Sequence, residues 1–189
     1  MMEWFRQWFG AIGASGPKHA AAQVYVTLVG QARDPLFYAE LGVSDSMDGR
    51  FDMIALHAFL VMQRLKGEGE AADKFSQHLF DAMFDDMDRA LRELGVGDMG
   101  VGKRVRAMGK AFMGRAEAYE LAADNESDMK QALARNLFRG EEVNDDVLNT
   151  MVSYMSAQRA CLASQATEVI LDGDISFDPA TAILNREAS

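Results

Sequence analysis

The chain has 189 residues, enough for one domain with a substantial core, and a hydrophobic share of 49% fits a globular protein. A net charge of −10 and a pI near 4.7 argue against a DNA or RNA partner, which requires clustered Lys and Arg, and no run approaches the roughly 20 apolar residues of a membrane span. Cys161 is the only cysteine, which excludes a disulfide framework and a thiolate metal site; among Ala160, Leu162 and Ala163 it reads as a buried, inert thiol.

Along the chain, residues 1–16 read as a short amphipathic leader with Trp4, Phe5, Trp8 and Phe9 on one helical face, side chains suited to membrane contact. The leader has neither the apolar core of a secretory signal nor the Arg-rich character of a transit peptide, so a cytoplasmic location is expected. Gly16-Pro17 opens a single domain over residues 17–170, whose first helix spans residues 18–31. Asp34-Pro35 ends that helix, because a residue before proline avoids the α region, and a turn region follows to Met47. Asp48 reads as the N-cap of a second helix, residues 48–66, with Asp52 near the positive end of its dipole. Gly67 and Gly69 break it. A third helix, residues 70–94, stops at Gly95 in a left-handed cap, and Gly97 is expected at positive φ in the turn beyond. Helices over residues 103–123, 127–138 and 145–168 follow, then an irregular tail, residues 171–189. The expected fold is all-α: an irregular bundle of about six helices with a long central hairpin made by the second and third.

Several constellations invite a functional reading. Arg50, His57 and Arg64 lie seven residues apart on one face of the second helix, beside an apolar face of Phe51, Ala55, Ala58 and Met62. His78, Asp81, Asp85 and Asp88 repeat at helical spacing on the third. If the hairpin joins these faces, a partly buried charged seam results, serving helix register or partner recognition. A metal site is not expected: no Glu-x-x-His pair exists for a di-iron bundle, and the Asp85, Asp86 and Asp88 spacing does not fit the aspartate motif of isoprenoid synthases. The four glycines from Gly95 to Gly102 are not a phosphate loop, since Gly102-Lys103 is followed by Arg104 and preceded by a helix. Thirteen methionines, with Met83/Met87 and Met151/Met155 one turn apart, suit either core filling or an adaptable surface for apolar helices. No Ser or Cys has an activating neighbour, so no enzyme and no cofactor are expected.

Three blocks exceed what a generic helical domain needs: Asp34-Pro35 with Tyr38, Asp48-Gly49-Arg50-Phe51-Asp52, and the run from Leu91 through Arg92 and Gly95 to Asp98. They resemble the ubiquinol–cytochrome c chaperone family of complex III assembly factors, over roughly residues 24–140. The resemblance implies a bacterial chaperone that binds newly made cytochrome b and acts with a small partner subunit; the aromatic leader would add peripheral contact with the cytoplasmic face of the inner membrane. Its client contacts would be Asp34, Tyr38, Asp48, Arg50, Phe51, Asp52, His57, Asp81, Asp85, Asp88, Arg92, Asp98 and Arg115. The alternative is a small-molecule or lipid-binding protein with an apolar cavity between the long helices. An enclosed pocket would favour the second, an open methionine-lined groove beside the acidic helix the first.

Overall fold

The structure, a computed structural model, describes residues 16–181, and the aromatic leader with Trp4, Phe5, Trp8 and Phe9 lies outside them. Among the described residues there are eight helices and no strand: α1 (Pro17–Ala32), α2 (Pro35–Ala39), α3 (Met47–Leu65), α4 (Glu70–Glu93), α5 (Asp98–Leu121), α6 (Glu126–Asn136), α7 (Asp145–Ala163) and α8 (Thr167–Leu171).

Helix α3 is the axis of the bundle. Every residue from Phe51 to Val61 is buried, Asp52 and His57 included, as expected of a helix with neighbours on all sides. Helices α1, α4, α5 and α7 supply those neighbours. The expected polar stripe therefore does not run along a solvent face. Arg50 at one end pairs with Asp45 at 2.6 Å in the open. Arg64 at the other end donates to the carbonyls of Leu162 (3.1 Å) and Gln165 (2.8 Å), capping the last turn of α7. Nor does the stripe meet the carboxylates of α4 in a seam, because α1 packs along both helices of the hairpin. Its row of Ala20, Ala21, Val24, Leu28 and Ala32 is fully covered, and the Tyr25 hydroxyl donates to Asp86 of α4 at 2.8 Å.

Helix α4 is amphipathic in the plain sense: Ala72, Phe75, Leu79, Met83 and Met87 point inward, while Asp73, Asp81 and Asp85 face water. The paired methionines on α4 and α7 are core filler, since Met83, Met87, Met151 and Met155 are all buried.

Helix boundaries differ from the expected ones at four places. The segment after Asp34 is the short helix α2, with Pro35 at its first position and Asp34 accepting from the Leu36 amide at 3.0 Å. Ser46, not Asp48, caps α3, accepting from the Gly49 amide at 3.1 Å. Gly95 adopts φ 79° as expected, but Gly97 is extended at φ −64° and α5 already begins at Asp98, whose charge suits the start of the helix. The expected helix over residues 145–168 stops at Ala163 and resumes as α8.

Beyond α8, residues 174–179 are irregular yet anchored. The side-chain amide of Gln165 pairs with the backbone of Ser176 and that of Gln158 with the backbone of Asp178, each donating and accepting at 2.7–3.0 Å. Cys161 sits under this strap, half-buried rather than buried, with its thiol pushed up first by desolvation.

Candidate functional site

Gly49 explains why the Asp48–Asp52 block exists. A Cβ at Gly49 would lie 2.0 Å from the Ser44 carbonyl oxygen, so only glycine lets the chain pass this close to α3. Asp48 and Asp52, one turn apart, then share a face. Asp52 is wholly buried and is gripped by two arginines from distant parts of the chain. Arg115 of α5 reaches one oxygen at 2.7 Å, and Arg139 reaches the other with Nη2 at 2.8 Å and Nε at 2.9 Å. Arg139 also reaches Asp48 at 3.2 Å. Its φ of 57° is the one positive non-glycine value among the described residues, a conformation costing on the order of 1 kcal/mol that the two carboxylates hold in place. The Arg115 guanidinium covers the Phe51 ring at 5.8 Å. Burial pushes the Asp52 carboxyl up, against the opposing pull of Arg115 and then Arg139.

A second buried group centres on His57. Its Nδ1 lies 2.8 Å from the Met53 carbonyl, which can only accept, so Nδ1 carries the proton and Nε2 accepts from the Tyr154 hydroxyl at 2.6 Å. Gln31 of α1 donates to the same hydroxyl oxygen at 3.0 Å and to the Asp178 carbonyl at 2.9 Å. Phe37 and Phe177 present ring edges to His57. Desolvation pushes its pKa down to about 4, which keeps the ring neutral. The cluster ties α1, α2, α3, α7 and the strap together.

Phe51, Asp52 and His57 thus have no surface to offer a partner in this fold, and Arg115 is committed to Asp52. These four candidates therefore lie inside the bundle rather than on its surface, because α3 is covered on every side. The other candidates reach solvent to differing degrees. Asp34 caps α2, and Tyr38 donates to the Ala32 carbonyl at 2.7 Å. Arg92 bridges Asp88 and Asp98 across the turn between α4 and α5. Asp81 and Asp85 line a shallow depression with Lys18 and His78, where burial and then Asp81 push the Asp85 carboxyl up. Among the described residues no three His, Cys, Asp or Glu side chains converge as metal ligands.

The feature that sequence reasoning missed is a groove of about 750 Å³ between α3, α4 and α5. Phe59, Met62, Met113 and Ala116 form its apolar wall, with Asp73, Lys66, Lys110 and Glu117 around them. It is open to solvent. At one end Lys66 (2.7 Å) and Gln63 (3.1 Å) donate to Glu120, whose carboxyl is held down chiefly by the Lys66 bond. Met113 is 60% exposed. Methionine enrichment pointed toward such a surface, but the visible pairs were the wrong ones; Met62 and Met113 come from different helices and converge only in the fold.

Residues 39–177 match the sequence model of the family described as ubiquinol-cytochrome C chaperone. The Xenopus laevis ubiquinol-cytochrome-c reductase complex assembly factor 1 is 22% identical over 164 residues, covering 86% of this chain and 82% of that protein. The Mus musculus assembly factor 1 is 24% identical over 179 residues, 89% of this chain but 61% of the relative, so the chain spans about three fifths of the mouse protein. The crystal structure of the Cbp3 homolog from Brucella abortus superimposes with a TM-score of 0.77 at 35% identity, covering 95% of this chain and 97% of that one.

Proposed function

The chain belongs to the ubiquinol-cytochrome c chaperone family, and on that premise we propose that it holds newly made cytochrome b by an apolar membrane segment laid in the groove between α3, α4 and α5. The observation that carries this reading is the open methionine wall. Flexible thioethers adapt to helices of varied shape, and an unassembled transmembrane segment needs apolar cover until its partner subunits arrive. A groove open to solvent accepts an extended or helical segment, whereas a dedicated small-molecule site would be enclosed. Among the sequence candidates, Asp81, Asp85 and Asp88 on α4 are the client contacts of choice. Cytoplasmic flanks of membrane helices are rich in Lys and Arg, and this acidic ridge would receive them. Asp48, Arg50, Arg92 and Asp98 reach solvent beside the cap of α3 and the α4–α5 turn, where a small partner subunit would dock. The leader, with Trp4, Phe5, Trp8 and Phe9, would add peripheral contact with the inner membrane.

The test is site-specific photo-crosslinking. A photoreactive residue at Met113 should capture cytochrome b in the native host, and one at Arg135, on the exposed side of α6, should not. Met113→Glu, at a position 60% exposed, should leave the melting temperature near that of the wild type and reduce assembled complex III. Equal crosslinking from both positions, or normal complex III in the Met113→Glu variant, would remove the groove from the mechanism.

A further inference from the structure

Helix α5 carries a charge pattern opposite to the rest of the molecule. From Met99 to Ala116 it contains five of the chain's 19 Lys and Arg and no Asp or Glu, although the whole chain carries −10. Helical spacing places Met99, Lys103, Arg106, Lys110 and Met113 along one outward line, opposite the buried Val101 and Phe112. All five are exposed, as is Arg104 beside them. Lys103, Arg104, Arg106 and Lys110 make no ion pair or hydrogen bond with the described residues, while most of the molecule's other exposed cations are paired. Met99 is 94% exposed, and Leu94 just before the turn is 65% exposed.

We propose that this face of α5 seats the protein on an anionic phospholipid bilayer, with Lys103, Arg106 and Lys110 on the headgroups and Leu94, Met99 and Met113 entering the interface. The inference goes beyond client binding but rests on that reading for its choice of occupant, because a client embedded in the bilayer requires the chaperone to meet lipid. Unpaired cations interleaved with exposed aliphatic side chains are the pattern of an interfacial helix. Nucleic acid fits less well: no aromatic side chain accompanies the cations for base stacking, and the remainder of the surface is acidic. The basic flanks of a membrane client would be repelled here and drawn instead to α4. Lys110 and Met113 belong both to this face and to the client groove, so seating α5 on the bilayer brings the groove to the membrane surface.

Flotation of the full chain with vesicles tests the proposal. The wild type should float with equimolar phosphatidylglycerol and phosphatidylcholine vesicles, stay behind with phosphatidylcholine alone, and be released at about 1 M salt, where screening acts within about 3 Å. In K103Q/R106Q/K110Q the partition coefficient should fall about a hundredfold, roughly fivefold per charge removed, with an unchanged melting temperature. Undiminished flotation of the triple variant, or a wild type that ignores anionic vesicles, overturns the proposal. So does a triple variant that keeps its vesicle affinity but loses an acidic co-purifying protein, because the face would then bind protein. Crosslinking of cytochrome b from Met113, scored separately, keeps the two ideas apart. Capture without flotation sinks lipid docking alone, and flotation without capture sinks the client groove alone.

Discussion

Arg115→Met removes one of two guanidinium groups from a carboxylate that water does not reach. Breaking a buried ion pair costs about 3–5 kcal/mol when the remaining charge is left alone. Here Arg139 stays on the second oxygen of Asp52, at 2.8 Å, with a side chain that is 40% exposed, so part of the cost is spared. The methionine also keeps most of the stem that covers Phe51. The net loss should be about 2–3 kcal/mol, a fall in melting temperature of about 5–10 °C for a chain of this size. Urea unfolding followed by far-ultraviolet circular dichroism measures it. Adding Asp52→Asn removes the stranded charge, so the double variant should be more stable than the sum of the two single losses implies, with a coupling of about 1–2 kcal/mol. Arg50→Ala serves as the contrast: its partner Asp45 is fully exposed, and the melting temperature should not move. Should Arg115→Met melt within about 1 °C of the wild type, Arg139 alone would satisfy Asp52 and the clamp as described would be wrong.

Two further outcomes follow from the buried groups. His57 has a folded pKa pushed down to about 4 against an unfolded value of 6.5, so the unfolded chain binds the extra proton between these limits and stability falls as pH falls through that window. Between pH 7 and pH 5 the loss should be about 2 kcal/mol, and His57→Gln should flatten the pH dependence of urea unfolding; an equally steep profile in the variant would assign the acid sensitivity to another group. Gly49→Ala forces a methyl to within 2.0 Å of the Ser44 oxygen and should cost about 3 kcal/mol in the same assay, whereas alanine at Gly30, with open space around it, should not destabilise.

Helix content, most helix limits and the family blocks are local properties, and they are legible in the chain for that reason. Gly67 and Gly95 lie just past helix ends and Gly69 just before a helix start, each with a positive φ that no distant residue needs to supply. The Asp48-Gly49-Arg50-Phe51-Asp52 block is conspicuous in the sequence, yet its purpose is not. Nothing local says that Arg115 and Arg139, more than 60 residues away, will close on Asp52, or that the Ser44 carbonyl will press against Gly49. The same holds for α3. Its periodicity shows a polar stripe, but a helix at the axis of a bundle buries every face, and polar residues there must be satisfied from neighbours, as His57 is by Tyr154 and Arg64 by the end of α7.

The sequence by itself determined the all-α class, because helix periodicity, caps and glycine stops act over a few residues, while the blocks at Asp34-Pro35, Asp48–Asp52 and Leu91–Asp98 carried the resemblance to the chaperone family that the family match shows. Only the tertiary structure decided which polar residues are buried and which reach solvent. It also brought Met62 and Met113 into one open wall and left Lys103, Arg106 and Lys110 of α5 unpaired on a single face. Burial and charge pairing depend on which helices become neighbours, and that is set by packing across the whole chain.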